Sequence, residues 1–298
     1  MAVSEEYARL LRRATSAALA TALTLAVSKA IAWWLSGSVS LLGGLTDSLL
    51  DGVASLLNLL AVRYALHPAD ADHRFGHGKA EAMAGLGQSV FICISALIVG
   101  SQGIERLLHP EPLGAPLAGV LVMLLSLAMT AALLTYQRHV IRKTGSTAIR
   151  ADSLHYRSDL LLNSSILLAL VLSWLGLAHA DALFGIGIAF YILWSALTIA
   201  REASAVLMDS SLPASITREM AGLATAVPDV LGCHDLRTRV SGNQWFVQIH
   251  IDLPDNMPLS LAHENCERVS RAITRAYPHA EVLVHADPAG LRALRPAP

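Results

Sequence analysis

Six long apolar blocks fill the first two thirds of the chain, and they constrain its fold more than any other feature. A helix needs roughly 20 residues to cross about 30 Å of hydrocarbon, and each block is close to that length or longer. The chain of 298 residues is 54% hydrophobic and 15% charged, against roughly 25% charged residues in a typical soluble domain. We therefore predict an α-helical membrane domain with six transmembrane helices over residues 14–35, 39–66, 82–107, 117–141, 153–177 and 182–200.

The Arg and Lys residues of this region cluster at one set of block ends. The connections on the opposite side contain essentially only Arg106. Basic residues that flank transmembrane helices stay in the cytosol, so we predict cytosolic N- and C-termini. The clustered residues are Arg9, Arg12, Arg13, Arg63, Arg74, Lys79, Arg138, Arg142, Lys143, Arg150 and Arg201.

Two pairs of polar side chains lie inside the apolar blocks. Asp47 and Asp51 belong to the second block, and His155 and Asp159 belong to the fifth. Each pair is separated by four residues, which places both side chains on one face of a helix. Ionisable groups at membrane depth are costly, and they normally face a cavity, pair with each other or bind an ion. Two such helices face to face would offer three carboxylates and one imidazole, a set suited to a divalent cation.

A purely structural role is the alternative interpretation of these polar residues. Polar side chains in membrane helices also hydrogen-bond neighbouring helices, which is what we expect of the isolated Lys29, Asn58 and Asn163. Four candidate ligands in two matched pairs favour the metal site.

A second group of candidate ligands lies in the connection after the second block. Asp70, His73 and His77 are close in sequence, and Gly76 and Gly78 lie among them. Carboxylate and imidazole groups are common ligands of divalent metals, so we predict a loop metal site. The alternative is a solvated cytosolic loop whose histidines bind no metal in the cell.

After residue 208 the sequence changes from a series of apolar blocks to the composition of an ordinary soluble protein. We therefore predict two domains: a transmembrane domain, 1–208, and a cytosolic domain, 209–298. Patterns in the second part predict the order α-β-β-α-β of a small α+β sandwich, with alternating apolar and polar residues over 245–253. Neighbouring strand ends can gather its candidate ligands into a metal site, in which a carboxylate can bridge two ions. Solvated surface histidines are the alternative. The candidates are His234, His250, His263, His285 and Asp287.

The sequence lacks the residues that several other functional classes require. No basic or aromatic tract suggests nucleic-acid binding, and no GxxxxGKS/T loop for a nucleotide is present. His263 and Glu264 could begin an HExxH zinc-hydrolase motif, but Glu267 stands where the second histidine is needed. No GxSxG motif of a serine hydrolase occurs either. We therefore expect a protein that is not an enzyme.

Three motifs together resemble the cation diffusion facilitator family. They are DSLLD at 47–51, the stretch 67–81 that contains HRFGHGK, and DSLHYRSD at 152–159. The resemblance covers nearly the whole chain and is closest to the bacterial zinc and ferrous-iron exporters. It implies a homodimer in the bacterial inner membrane, with six helices and a cytosolic ferredoxin-like, metallochaperone-like domain in each protomer, that exchanges cytosolic metal for protons.

The resemblance also implies roles for the candidate residues. The two helix pairs correspond to the transport site, the three loop residues to a loop site, and the cytosolic ligands to a binuclear zinc site at the dimer contact. A hinge ion pair between Lys79 and Asp209 is a further implication.

Together these observations predict a divalent metal cation/proton antiporter that exports Zn²⁺ from the cytosol. Zn²⁺ would be both the substrate and a regulatory ion, and a set of three carboxylates and one imidazole also admits Fe²⁺, Cd²⁺ and Mn²⁺. The alternative is a membrane-bound metal sensor or scaffold without transport. A ligand set at membrane depth is hard to explain in such a sensor.

Overall fold

The computed structural model describes residues 5–36, 39–108, 117–174 and 180–292. The described part begins with six long helices, which confirms the helical membrane domain. These are α1 (Glu5–Ser36), α2 (Val39–Ala65), α3 (Lys79–Leu108), α4 (Leu117–Thr144), α5 (Thr147–Trp174) and α6 (Ala180–Leu207).

Helices α1, α2, α3, α4 and α6 are long and apolar enough to cross a membrane. Helix α5 has 28 residues, and its first half carries the polar side chains that the sequence marks as functional. Some predicted boundaries were wrong: α1 begins at Glu5 rather than at residue 14, and α6 ends at Leu207 rather than at 200. Helices can continue into water beyond the apolar block, so the block alone underestimates their length. Residues 175–177 of the fifth predicted block lie outside the described residues.

Small and apolar side chains hold the helices together. Helix α3 packs along α6, α1 along α2, and α5 contacts α3, α4 and α6. Ala96 and Ala196 are buried in the α3–α5–α6 core, and a Cβ added to Gly100 would lie 3.5 Å from the Ala189 Cβ. Such small residues let helix backbones approach closely in a membrane, where packing rather than the hydrophobic effect drives association.

Large apolar side chains cover the outside of the helix bundle. Trp34, Phe190 and Trp194 are 81%, 70% and 63% exposed in the isolated protomer. A soluble monomer rarely exposes large contiguous apolar patches, so this surface fits a lipid environment.

The cytosolic domain contains the predicted order of helices and strands. Its elements are α7 (Ala214–Thr225), β1 (Gly232–Ser241), β2 (Gln244–Leu253), α8 (Leu259–Ala276), β3 (Ala280–Pro288) and the short α9 (Ala289–Arg292). The strand order is β1-β2-β3, with β1–β2 antiparallel and β2–β3 parallel. Val247, Ile249 and Ile251 of β2 pack with Val269 and Ile273 of α8 in the core, so the alternate residues of β2 face away from the core.

The two domains meet where the loop after α2 lies against the β1–β2 hairpin. Phe75 of the loop packs edge-on against Phe246, and the Arg239 guanidinium lies over both rings. Gly78 approaches the hairpin so closely that an added Cβ would lie 2.5 Å from the Ser241 carbonyl oxygen. Any larger residue at position 78 would push the loop off the sheet.

Candidate metal centres

A cavity of about 300 Å³ with several charged and polar lining residues lies among the helices of the bundle. Asp47 and Asp51 of α2 line it together with Asp159 of α5, and Lys29 of α1 lines it as well. The structure thus places three of the four predicted transport-site residues around one cavity.

Three of the predicted transport ligands converge where α2 meets α5. His155 Nε2 lies 2.9 Å from Asp51 Oδ1 and 3.7 Å from Asp159 Oδ2. One candidate ligand atom from each residue lies within 4.8 Å of the others, so a single ion could contact all three. All three side chains are partly buried. We call Asp51, His155 and Asp159 the transport triad.

Asp47 does not belong to this close group. Its side chain is exposed to the same cavity, one turn before Asp51 on α2. One turn of an α-helix is about 5.4 Å, which separates the two carboxylates along the helix axis. Asp47 is therefore adjacent to the transport triad in this conformation, and a small shift of its side chain or of α2 would be needed to bind the same ion.

Lys29 makes the hydrogen bond between helices that the sequence suggested, and it also lines the transport cavity. Its Nζ donates a hydrogen bond of 2.7 Å to Ser48 Oγ, and its side chain lies against Gly44 of α2. Lys29 is therefore a residue of the transport cavity as well as a link between two helices. The rule that an ionisable residue within a membrane helix is functional by default could have identified it.

A buried hydrogen-bond network supports the start of α5. Asp152 is fully buried, and its two carboxylate oxygens accept hydrogen bonds from Gln88 Nε2 (3.2 Å) and Gln137 Nε2 (2.6 Å). These bonds tie α5 to α3 and α4 one turn before His155. The imidazole is therefore carried on a part of α5 that neighbouring helices fix.

Tyr156 fixes α5 on its other side. Its hydroxyl donates a hydrogen bond to the Ala18 carbonyl (3.0 Å), so the Ser55 hydroxyl, 2.8 Å away, must donate to the Tyr156 oxygen. One side chain thereby connects α5 to α1 and α2.

The loop after α2 brings its predicted ligands together. His73 Nδ1 lies 3.5 Å from Asp70 Oδ1, and His77 Nε2 lies 3.4 Å from Asp70 Oδ2. Asp70 Oδ1 also accepts hydrogen bonds from the backbone N–H groups of Asp72 and His73. The His73 N–H bond is the main cause of a lowered pKa of the Asp70 carboxyl, so this side chain is an ionised ligand at neutral pH.

His67 is a candidate ligand that the sequence interpretation missed. It lies just after α2, and one of its ring nitrogens lies within 4.8 Å of candidate ligand atoms of Asp70 and His77. Its position three residues before Asp70 was a signal in the sequence.

The cytosolic ligands form a ladder across the sheet. His234 of β1 is paired with His250 of β2, and His250 is paired with His285 of β3. Residues that are directly opposite in a sheet point to the same face, here the face away from the core. Asp287, two residues after His285, lies on that face as well. Its carboxylate contacts all three rings: 3.4 Å to His234 Nε2, 2.7 Å to His250 Nδ1 and 3.4 Å to His285 Nε2.

The structure differs from the predicted set of cytosolic ligands at two residues: Asp252 contacts the cluster, and His263 lies apart from it. Asp252 is 2% exposed, and its Oδ1 lies 3.1 Å from His234 Nδ1, which leaves His234 Nε2 to face Asp287. A carboxylate behind a ligating histidine commonly fixes the ring and its tautomer. His263 lies apart on α8, exposed, and it is outside the metal-ligand group formed by His234, His250 and Asp287 among the described residues.

Lys79 and Asp209 lie within ion-pair distance in one protomer. Lys79 Nζ is 2.9 Å from Asp209 Oδ1, and Arg239 Nη1 is 3.6 Å from Asp209 Oδ2. The hydrogen bond from Lys79 is the main cause of a lowered pKa of the Asp209 carboxyl.

Family models match both parts of the chain. The cation efflux transmembrane domain matches residues 16–208, and the cytoplasmic domain of cation efflux proteins matches residues 212–289. The chain is 50% identical to the cation-efflux pump FieF of Klebsiella pneumoniae over 289 residues, which is 97% of this chain and 96% of that protein. It is also 50% identical to FieF of Cronobacter sakazakii over 286 residues, with 96% and 95% covered.

Two solved structures are similar to the cytosolic part. The Zn form of CzrB is 28% identical, with 28% of this chain and 96% of that chain covered and a TM-score of 0.26. The MamM CTD is 27% identical, with 25% and 95% covered and a TM-score of 0.24. The family models and the relatives of nearly equal length decide the assignment: this chain belongs to the cation diffusion facilitator family and is a membrane cation efflux transporter.

Proposed function

We propose that the chain exports divalent metal ions, Zn²⁺ foremost, from the cytosol in exchange for protons. The observation that carries the proposal is the convergence of Asp51, His155 and Asp159 within the membrane domain. Two carboxylates and one imidazole supply hard and borderline donors, which suit Zn²⁺ and also admit Fe²⁺, Cd²⁺ and Mn²⁺. The Irving–Williams order favours Zn²⁺ over Fe²⁺ and Mn²⁺ at equal availability.

Proton exchange follows from the chemistry of these ligands. A carboxylate or imidazole lone pair can hold either a proton or a metal ion, so metal binding releases protons and protonation releases metal. The short contact between His155 Nε2 and Asp51 Oδ1 requires a proton on one of the two groups, the proton that an incoming ion would displace. An inward proton gradient can then drive metal outward without a nucleotide.

We further propose that the protein is a homodimer in the bacterial inner membrane with both termini in the cytosol. We place the domain boundary between residues 208 and 209, after α6. The cytosolic domain would join the protomers, since its family model is that of a cytoplasmic domain named for dimer formation. Zn²⁺ bound to His234, His250 and Asp287, with His285 and His263 as further ligands, would regulate this contact.

Metal flux into proteoliposomes tests the proposal. Vesicles loaded with a zinc-sensitive dye should show saturable Zn²⁺ uptake that depends on a pH gradient and is lost in Asp51→Ala. Glu105→Gln is the matched control, because it removes an exposed carboxylate of α3 that does not line the transport cavity. Uptake retained in Asp51→Ala would reject the site, and uptake indifferent to the pH gradient would reject proton coupling. Binding without flux in the unmodified protein would favour a metal sensor.

A further inference from the structure

The loop metal site is built around a residue at the end of α2. We propose that His67 is a ligand of this site, so that a divalent ion is held by His67, Asp70 and His77, with His73 as the fourth ligand. The inference deepens the proposed function, because it concerns a second metal site of the same transporter. The family resemblance implied only Asp70, His73 and His77.

The distances select His67 independently of the sequence motif. One candidate ligand atom from each of His67, Asp70 and His77 lies within 4.8 Å of the other two. His73 is outside this closest group, although its Nδ1 is 3.5 Å from Asp70 Oδ1 and its ring centroid is 4.5 Å from that of His77. The Asp70 carboxylate therefore has His73 at one oxygen and His77 at the other.

Contacts with backbone carbonyl groups determine which ring nitrogen of each histidine can bind a metal. A carbonyl can only accept a hydrogen bond, so His77 Nδ1, 3.3 Å from the His67 carbonyl oxygen, carries a proton. His77 Nε2, 3.4 Å from Asp70 Oδ2, is then the ring nitrogen that could bind an ion. His67 Nδ1 faces the Pro68 carbonyl at 3.4 Å, which in the same way leaves His67 Nε2 for a metal. Fixing the second nitrogen in this manner is typical of metal-binding histidines.

The loop backbone also orients the carboxylate. Asp70 Oδ1 accepts the N–H groups of Asp72 (3.0 Å) and His73 (2.7 Å), so Oδ2 is the oxygen left for an ion. Gly76 has φ +77°, a left-handed conformation that turns the chain back and brings His77 under the loop. His77 is 5% exposed, whereas Asp70 and His67 are exposed, which gives a shallow site open to the cytosol.

Such an ion would connect two structural units. His67 follows α2, the helix that carries Asp47 and Asp51, while His77 lies two residues before the start of α3 and Phe75 packs on the cytosolic sheet. Occupancy of the site would clamp the end of α2 to the junction between the two domains. Three imidazoles and one carboxylate form a four-ligand set that suits Zn²⁺.

Zinc binding to the full-length protein in detergent tests the inference. The parent variant is Asp51→Asn with Asp287→Asn, which disables the other two candidate centres, and Zn²⁺ affinity is measured by competition with a chromophoric chelator. We expect His67→Gln to weaken the remaining site by about tenfold or more, within the range seen when the surroundings of a metal are altered. His139→Gln, an exposed histidine of α4, is the matched control and should leave the affinity unchanged.

The measurements distinguish direct ligation by His67 from a site that lacks His67. A smaller Co²⁺ ligand-field absorption in His67→Gln than in the parent would support direct ligation. An unchanged affinity in His67→Gln together with a loss in His73→Gln would overturn the inference, as would an affinity that Asp70→Asn does not lower. Zinc flux of the otherwise unmodified protein is measured in parallel, so failure of the proposed transport is seen separately from failure of this site.

Discussion

Lys79 Nζ lies 2.9 Å from Asp209 Oδ1, and this contact joins the first residue of α3 to the linker just after α6. Lys79 also donates to the Leu207 carbonyl at the end of α6 (3.3 Å), and Asp209 has a left-handed φ of 57°. An Asp residue tolerates this conformation better than most others. The contact therefore fixes the direction in which the chain leaves the membrane domain.

The geometric role of this pair predicts the result of a charge exchange. Both side chains are more than a third exposed, so the pair should contribute less than about 1 kcal/mol to stability. We expect Asp209→Lys and Lys79→Asp each to lower zinc flux severalfold, with little change in the melting temperature, and the double variant to recover part of the loss. Flux and thermal unfolding are measured on the same preparations. A double variant that is no better than the worse single variant would mean that the pair does not couple the domains.

The lowered pKa of Asp209 predicts a pH dependence of stability. A carboxyl whose pKa is lower in the folded state contributes stability above its unfolded pKa, and this contribution is lost as the pH falls through the folded value. The difference in melting temperature between the unmodified protein and Asp209→Asn should therefore be constant from about pH 7 to 5 and should shrink below about pH 4. Asp229→Asn, another exposed aspartate in a left-handed conformation, is the control. A difference that grows on acidification would contradict the assignment.

The sequence predicts the helices, the cytosolic fold and most of the candidate ligands because each rests on a local pattern. Apolar runs of membrane length locate α1–α6, and alternation locates β2. The distance between side chains of α2 and α5 depends on helix rotation, so the sequence could not place Asp47 one turn away from the transport triad. The contact between His234 and Asp252 depends on the pairing of β1 with β2, which spacing along the chain does not reveal.

The position of Lys29 predicts how transport changes when its charge is removed. Its side chain lines the cavity with Asp47, Asp51 and Asp159, where a positive charge would oppose the negative charge of the carboxylates. We expect Lys29→Gln to hold a divalent ion more tightly, which should lower KM and kcat for zinc flux by roughly threefold or more each. Lys29→Arg keeps the charge and should retain both values. A rise in KM with unchanged kcat would show that Lys29 only aids packing or metal entry.

The presence of an imidazole in the transport triad leads us to predict a preference for Zn²⁺ over Mn²⁺ that depends on His155. Imidazole suits Zn²⁺, whereas carboxylates suit Mn²⁺, so His155→Asp should lower the ratio of Zn²⁺ to Mn²⁺ transport by about tenfold. Competition flux, in which Mn²⁺ is added at increasing concentration against a fixed Zn²⁺ concentration, measures this ratio. His139→Asp makes the same change at an exposed position of α4 and should leave it unaltered. An unchanged ratio in His155→Asp would indicate that the imidazole does not bind the transported ion.

The contacts of Asp287 predict which substitution in the cytosolic cluster lowers zinc affinity more. Its carboxylate contacts His234, His250 and His285, whereas His263 is exposed on α8 away from them. Asp287→Asn should therefore lower zinc affinity of the cytosolic site by at least about tenfold, and His263→Gln should have a smaller effect. Both changes are measured in full-length protein that also carries Asp51→Asn and Asp70→Asn, so that the other two centres are disabled. The reverse order would mean that His263 contributes more to zinc binding than Asp287, and it would contradict the ligand set of the strand ladder.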